Sequence, residues 1–177
     1  MRRLRTVSLS TRDISTLRYL FEAAWPDPRD PFTEEDWEHS TGGVHFLLED
    51  AGEIVSHAAV VERELHVAGT PIRTGYVEAM ATRPEHQRRG YGTAVMGEVN
   101  AYLDRSFRLG ALGTGEIGFY ERLGWQVWRG PTSVRTTDGE IRTPEDDGFV
   151  MVRTTPSSPA LDLSAPISCD WRLGDVW

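Results

Sequence analysis

GYVEAMATRPEHQRRGYGTAV, Gly75 to Val95, packs a strand, a basic loop and a helix start into one run. Gly75 to Thr82 reads as a strand that stops at Arg83-Pro84. Glu85 to Gly92 reads as a loop, and Ala94, Val95, Val99, Tyr102 and Leu103 then follow helical spacing to about Arg105. A basic loop entering a helix N-terminus attracts anions, because free backbone N–H groups and the positive end of the helix dipole both face it. Gly90 and Gly92 let the chain turn and let a phosphate approach the backbone. The loop has neither the GxxxxGK pattern of a nucleotide P-loop nor the GxGxxG of a dinucleotide fold. The plain alternative is a strand–helix connection with a solvated basic tip.

The rest of the chain sets bounds. Its 177 residues predict a single domain, residues 1–177, with an extended tail from about Thr154. Hydrophobic content of 39% and charged content of 26% describe an ordinary globular protein, and no apolar run approaches a membrane span. The basic start Met1 to Thr6 lacks the apolar stretch of a secretory signal, so a cytoplasmic location is expected. One cysteine, Cys169, excludes an internal disulfide and a multi-cysteine zinc site. The histidines (His39, His45, His57, His66, His86) have no ligand spacing, so no metal is expected. The net charge of −8, from 27 acidic against 19 basic residues, argues against nucleic acid and suits a cationic small molecule.

Hydrophobic periodicity predicts a helix over Arg12–Trp25, a stiff Pro26–Pro31 connector and a short Thr33-capped helix through His39. Val44–Leu48 and Ile54–Glu62 predict a strand pair across the turn Glu49–Glu53. Ala68–Pro71 predicts a second turn into the strand ending at Thr82. A strand at Leu109–Gly113, a helix at Glu116–Leu123 and a strand at Trp125–Arg129 come next. Val134–Arg135 and Gly148–Arg153 read as the last strands, and Thr154–Trp177 shows little periodicity. The alternation predicts an α/β fold with a mixed central sheet flanked by helices.

Gln87-x-x-Gly90-x-Gly92, set between strand and helix, resembles the pyrophosphate signature of the GCN5-related N-acetyltransferases (GNAT). That resemblance implies the GNAT fold and acetyl-CoA as cosubstrate. It also implies that the central strand splays from its neighbour and the acyl-pantetheine arm lies in the gap. It assigns the backbone of Met80, Ala81 and Thr82 to the pantetheine. Gln87, Arg88, Arg89, Gly90, Tyr91 and Gly92 would take the pyrophosphate.

Acetyl transfer to an amine needs a base for the ammonium and an acid for the departing thiolate. Strand alternation puts Tyr76, Glu78 and Met80 on one face, with Val77 and Ala79 on the other. A carboxylate within an apolar strand is either paired or functional. Glu78 is thus the candidate base, and a structural salt bridge is its alternative. Tyr120, in Gly118-Phe119-Tyr120-Glu121-Arg122-Leu123-Gly124-Trp125, resembles the segment that supplies the acid in that superfamily. Its alternative is a packed ring with its hydroxyl on a carbonyl.

Four further segments resemble the aminoglycoside 2′-N-acetyltransferases. They are Phe32–His39, Gly75–Ala79, Gly130–Val134 with Arg142–Gly148, and the final Cys169-Asp170-Trp171-Arg172-Leu173-Gly174-Asp175-Val176-Trp177. The family implies acetylation of a drug 2′-amine, hence antibiotic resistance, by a homodimer. It also implies a carboxylate ring for a polycation: Asp30 (or Asp27), Asp36, Glu78, Asp146, Asp175 and the Trp177 carboxylate, with Ala79 and Glu145 beside them. The Gly113–Ile117 loop is shorter than the family's serine-bearing loop, so Gly113 or Thr114 would serve there. A solvated acidic face is the alternative for these carboxylates. An acetyltransferase of a polyamine or cell-wall amino sugar, or a non-catalytic acetyl-CoA or antibiotic binder, stays open at this point.

Overall fold

A computed structural model describes residues 1–177. The chain forms two compact units, Met1–Val61 with Val77–Asn100 and Glu62–Tyr76 with Ala101–Trp177. In the first, β1 (Arg2–Arg5) is followed by α1 (Thr11–Ala24), α2 (Glu34–His39), β2 (Val44–Asp50), β3 (Glu53–Val67), β4 (Thr70–Thr82) and α3 (Tyr91–Ser106). The last three elements continue into the second unit. β1, β2 and β3 pair antiparallel in that order. Asp50 opposes Glu53 across Ala51 and Gly52, both at positive φ (49° and 83°), the conformation that a two-residue hairpin loop demands.

Ser10 and Asp13 form a capping box at the start of α1, where Arg2 also binds the Asp13 carboxylate at 2.9 Å. Loss of such a cap costs about 1 kcal/mol. The predicted apolar stripe is the buried face: Leu17, Leu20 and Phe21 are fully buried with Trp37, Leu47, Ile54 and Ala81. α1 ends at Ala24, and Pro26, which cannot continue a helix, lies just beyond. Thr33 and Asp36 build the same capping box on α2.

One expectation fails in β4. Ala79 has φ +48°, in the left-handed region, and it breaks the two-residue alternation. Tyr76 and Val77 are buried, Glu78, Ala79 and Met80 are all half-buried, and Ala81 is buried again. The face shared by Tyr76, Glu78 and Met80 in an ideal strand is therefore lost.

The second unit adds β5 (Leu109–Gly113), α4 (Ile117–Glu121), β6 (Gln126–Val127), β7 (Thr132–Thr136), β8 (Gly139–Arg142), β9 (Val150–Thr154) and β10 (Ile167–Asp170). Its strands run β6-β9-β5-β4-β3-β10-β7-β8. The pairs β4–β5 and β7–β10 are parallel, and β3–β10, β5–β9, β6–β9 and β7–β8 are antiparallel, so the sheet is mixed, as expected. Three local expectations are corrected. The tail contains β10, which lies between β3 and β7 with Ile167, Ser168 and Cys169 buried. β8 forms an unforeseen hairpin with β7. The strand expected at Trp125–Arg129 shrinks to β6, though Trp128 still donates to the Val150 carbonyl at 2.9 Å. No helix is long and apolar enough to cross a membrane.

His45 on β2 and His57 on β3 are fully buried, and their rings lie 5.2 Å apart. Burial holds both well below the ordinary 6.5, and their mutual repulsion lowers His57 further. A depressed histidine favours the folded state while neutral. The unfolded chain binds the extra protons once pH falls below about 6.5, and stability is then lost. The melting temperature should decline progressively below pH 6.5, and more steeply than in a His45→Gln/His57→Gln protein. Parallel pH profiles of the two would show that the pair contributes nothing to the acid limb.

Candidate active site

The basic loop belongs wholly to the first unit. A 3-10 turn at Pro84–His86 follows β4, and the Gln87 amide donates back to the Thr82 carbonyl at 3.3 Å. Arg88 (φ 59°) and Gly90 (φ 87°) both adopt left-handed backbone, which folds the loop onto the start of α3. Gln87 to Gly90 are exposed, and a Cβ at Gly90 would meet nothing within 4 Å. The first intrahelical bond runs from Ala94 N–H to the Gly90 carbonyl at 2.9 Å. The Tyr91, Gly92 and Thr93 amides therefore precede the helix's own acceptors. The Tyr91 hydroxyl donates to Asp50 at 2.5 Å and anchors the first turn. Open space, two exposed arginines and leading amides fit a diphosphate.

Upstream, the backbone is engaged selectively. Ser56 donates to the Ala81 carbonyl at 3.0 Å and lies 2.8 Å from the Thr82 hydroxyl. His57 Nδ1 lies 2.8 Å from the Ala79 carbonyl oxygen. Glu78, half-buried, lies just before this left-handed residue. Asp30 is exposed in a turn whose amide donates to the Asp27 carbonyl. The Asp27 carboxylate is occupied by Arg29, at 2.7 and 3.0 Å. Asp36 uses Oδ2 for the α2 cap, accepting from Thr33 at 2.8 and 2.9 Å. Only its other oxygen is outside that cap.

The second unit holds the other candidates. Tyr120 on α4 is 6% exposed and packs edge-on against Phe119 and Trp125, with centroids 4.9 and 6.0 Å away. Burial, with the Glu116 charge adding to it, pushes its phenol well above the usual tyrosine range. Thr114 N–H donates to Phe149, and the Thr114 hydroxyl caps the Glu116 amide. Gly113 ends β5, where a Cβ would lie 3.2 Å from the Trp177 carbonyl carbon and 3.5 Å from the Tyr76 hydroxyl. A side chain there would need the tail to give by a few tenths of an ångström.

The tail is tied down at several points. Trp177 is 8% exposed, and its indole N–H donates to Thr143 at 3.1 Å. The Val176 carbonyl accepts from Arg63 at 2.7 Å and from Cys169 at 3.2 Å. Arg172 donates to the Asp175 carbonyl at 2.6 Å. Arg63 also stacks over Tyr76, 4.5 Å from its centroid. Arg63 and Thr143 were not singled out in the sequence. Nothing local in the sequence marks Arg63, which stands between Glu62 and Glu64 and so reads as one member of a solvated charged run.

Around this tail the acids divide into two kinds. The Asp147 carboxylate is bound by Arg142 and Thr132, which hold it well below the usual carboxylate range. Asp146, half-buried, is displaced the other way. Burial raises it first, and the charges of Glu145, Asp175 and Asp147 add to this, against a Thr143 hydrogen bond. Asp146 is thus a carboxylate in a negative field that a cation would relieve. No group of three or more His, Cys, Asp or Glu side chains is arranged to hold a metal ion.

Residues 5–128 match the family model described as an acetyltransferase (GNAT) domain. An aminoglycoside 2′-N-acetyltransferase of Mycolicibacterium fortuitum is 45% identical over 150 residues, covering 82% of this chain and 77% of that protein. Among solved structures, a GNAT family N-acetyltransferase (YhbS) from Escherichia coli in complex with CoA aligns with a TM-score of 0.62 at 12% identity. The match covers 91% of this chain and 86% of that one. A probable N-acyltransferase from Enterococcus faecalis V583 aligns with a TM-score of 0.58 at 17% identity, over 72% of this chain. This chain spans only 32% of that longer protein. The structural matches establish the fold, and an acyltransferase enzyme is what fold and family define together. The chain belongs to the acetyltransferase (GNAT) family, alongside the 2′-N-acetyltransferase of M. fortuitum. Acetyltransferases of this fold use acetyl-CoA.

The two adjacent aspartates should respond oppositely to neutralisation. A raised native pKa opposes folding above the carboxylate range, whereas a lowered one favours folding there and is lost as pH falls. At pH 7, Asp146→Asn should leave the melting temperature unchanged or higher, and Asp147→Asn should lower it by a few degrees. Thermal melts of both variants would check this, and a lower melting temperature for Asp146→Asn would contradict the assignment.

Proposed function

We propose that this enzyme transfers the acetyl group of acetyl-CoA to the 2′-amine of aminoglycoside antibiotics and so confers resistance to them. The observation that carries this is the 45% identity, over most of both chains, to an enzyme of that name. The chemistry of the tail region supports it. An aminoglycoside is a polycation rich in hydroxyls and calls for carboxylates and polar backbone more than for an apolar floor. Asp146, in the negative field of Glu145 and Asp175, supplies such a surface beside the pinned Trp177.

The cosubstrate supplies an activated acetyl thioester. In this reading, the loop Gln87–Gly92 binds its diphosphate, and Met80, Ala81 and Thr82 offer backbone groups to its pantetheine arm. The Met80 N–H steadies the acyl oxygen as negative charge develops there. Glu78 removes a proton from the 2′-ammonium, directly or through a water. Tyr120 donates its proton to the departing thiolate. Asp30, Asp36, Glu78, Ala79, Gly113, Thr114, Glu145, Asp146, Asp175 and Trp177 contact the drug. The reading extends to a cytoplasmic homodimer.

Regiochemistry tests the substrate. Kanamycin B carries a 2′-amine and kanamycin A a 2′-hydroxyl at the same position. Thiol release from acetyl-CoA should be rapid with the first and near background with the second. Efficient turnover of kanamycin A would remove the 2′ assignment. Gly92→Asp tests the loop. A carboxylate in the first turn of α3 favours the helix dipole, so the variant should melt no lower than the parent. Coenzyme A binding by calorimetry should nonetheless weaken about tenfold or more, roughly 1.4 kcal/mol. Unchanged affinity would exclude the loop from diphosphate binding.

A further inference from the structure

The two buried histidines complete a hydrogen-bonded chain that ends on the strand break. Thr6 Oγ1 lies 2.9 Å from His45 Nε2. His45 Nδ1 lies 2.9 Å from His57 Nε2. His57 Nδ1 lies 2.8 Å from the Ala79 carbonyl oxygen. All four residues belong to the first unit.

The end of the chain fixes the direction of every bond in it. A carbonyl oxygen can only accept, so His57 Nδ1 carries the hydrogen. A neutral His57 then presents Nε2 as an acceptor, and His45 must donate from Nδ1. His45 Nε2 is an acceptor in turn, and the Thr6 hydroxyl donates to it. The competing Thr6 contact to the Gly43 carbonyl is longer, at 3.4 Å. Full burial keeps both rings neutral, which this pattern requires. The three bonds point the same way and polarise one another toward Ala79.

Ala79 is where β4 departs from strand geometry, and left-handed backbone costs a non-glycine residue about 1–2 kcal/mol. The chain contains no cis peptide bond. Across a planar trans peptide the carbonyl and the next N–H point in opposite directions. A carbonyl of Ala79 held by His57 therefore turns the Met80 N–H away from the histidines. We infer that His57, supported by His45 and Thr6, is a positioning residue for acetyl transfer. It locks the Ala79–Met80 peptide so that the Met80 N–H is presented to the acyl group and Glu78 is set beside it. The role of the Met80 N–H rests on the function proposed above; the direction of the hydrogen-bonded chain does not. His57 touches no substrate, and it acts on the transition state through one peptide plane.

Two measurements on the full-length protein test this. In histidine nitrogen NMR at pH 7, His45 and His57 should both show the Nδ1–H tautomer, whereas imidazole in water favours Nε2–H. An Nε2–H or doubly protonated signal from either ring overturns the chain, whatever the acceptor amine proves to be. The second measurement is steady-state acetyl transfer to whichever amine the parent accepts. His57→Leu fills the space without a donor, and His57→Asn keeps an N–H near Nδ1. The leucine variant should lose about tenfold or more in kcat while KM for acetyl-CoA changes by less than about threefold. The asparagine variant should recover most of that loss even where both melt lower than the parent. Equal kcat in the two variants overturns the positioning role. Should the leucine variant not fold, Thr6→Val removes the first donor at a partly exposed site. A kcat drop of about twofold or more then supports the chain, and a parent-like kcat overturns it.

Discussion

One hydrogen bond, from His57 to the carbonyl of Ala79, is made at the one residue of β4 with left-handed backbone. A strand alternates its faces, and an alternating β4 would give Val77 and Ala79 one face and Glu78 the other. The left-handed Ala79 replaces that pattern with three successive half-buried residues. The cost of about 1–2 kcal/mol for such a backbone is of the same order as the net worth of one buried hydrogen bond to it. Ala81 is returned to the core with Leu17, Leu20 and Phe21, which anchors the strand on the far side of the break. Position and strain are therefore set by the same contact. The loop that follows begins from a fixed strand end, where Ser56 and the Gln87 amide hold Ala81 and Thr82.

The second unit solves a different problem, that of ordering a tail with few apolar residues. β10 enters the sheet between β3 and β7, and the chain beyond it is held by Arg63, Cys169 and Thr143. Gly113 leaves room for Trp177 to lie close against the end of β5. Asp146 is drawn into this arrangement although its own charge is disfavoured there. Asp147, next to it, is fully compensated by Arg142 and the Thr132 backbone. Two neighbouring aspartates thus differ: one secures the β7 hairpin, and the other carries its charge in a negative field.

Much of this was legible in the sequence. The stripe Ile14, Leu17, Leu20, Phe21 identified α1 because a helix must bury one face. The segments Glu49–Glu53 and Ala68–Pro71 marked hairpins through their turn residues, and the structure adds positive φ at Ala51, Gly52, Ala68 and Gly69. Thr33 announced α2 through its capping chemistry. β10 was missed because four residues cannot display a period against a background of Pro and Ser. β8 was missed because all its residues are exposed, so no apolar alternation betrays it.

The residues of the site divide along the same line. The glycine loop and the family of the chain follow from the sequence alone, because a strand, a turn with glycines and a helix start are a pattern of residues at fixed local spacing. What only the tertiary structure decided are matters of distance between segments remote in sequence. Arg63 meets Val176, Trp177 meets Thr143 and Gly113, and Thr6, His45 and His57 line up on Ala79. Each of those histidines, read in sequence, is a polar residue in a largely apolar strand. Their role appears only when strand register places one ring against the next, because a hydrogen bond depends on a separation of about 3 Å that local spacing does not encode.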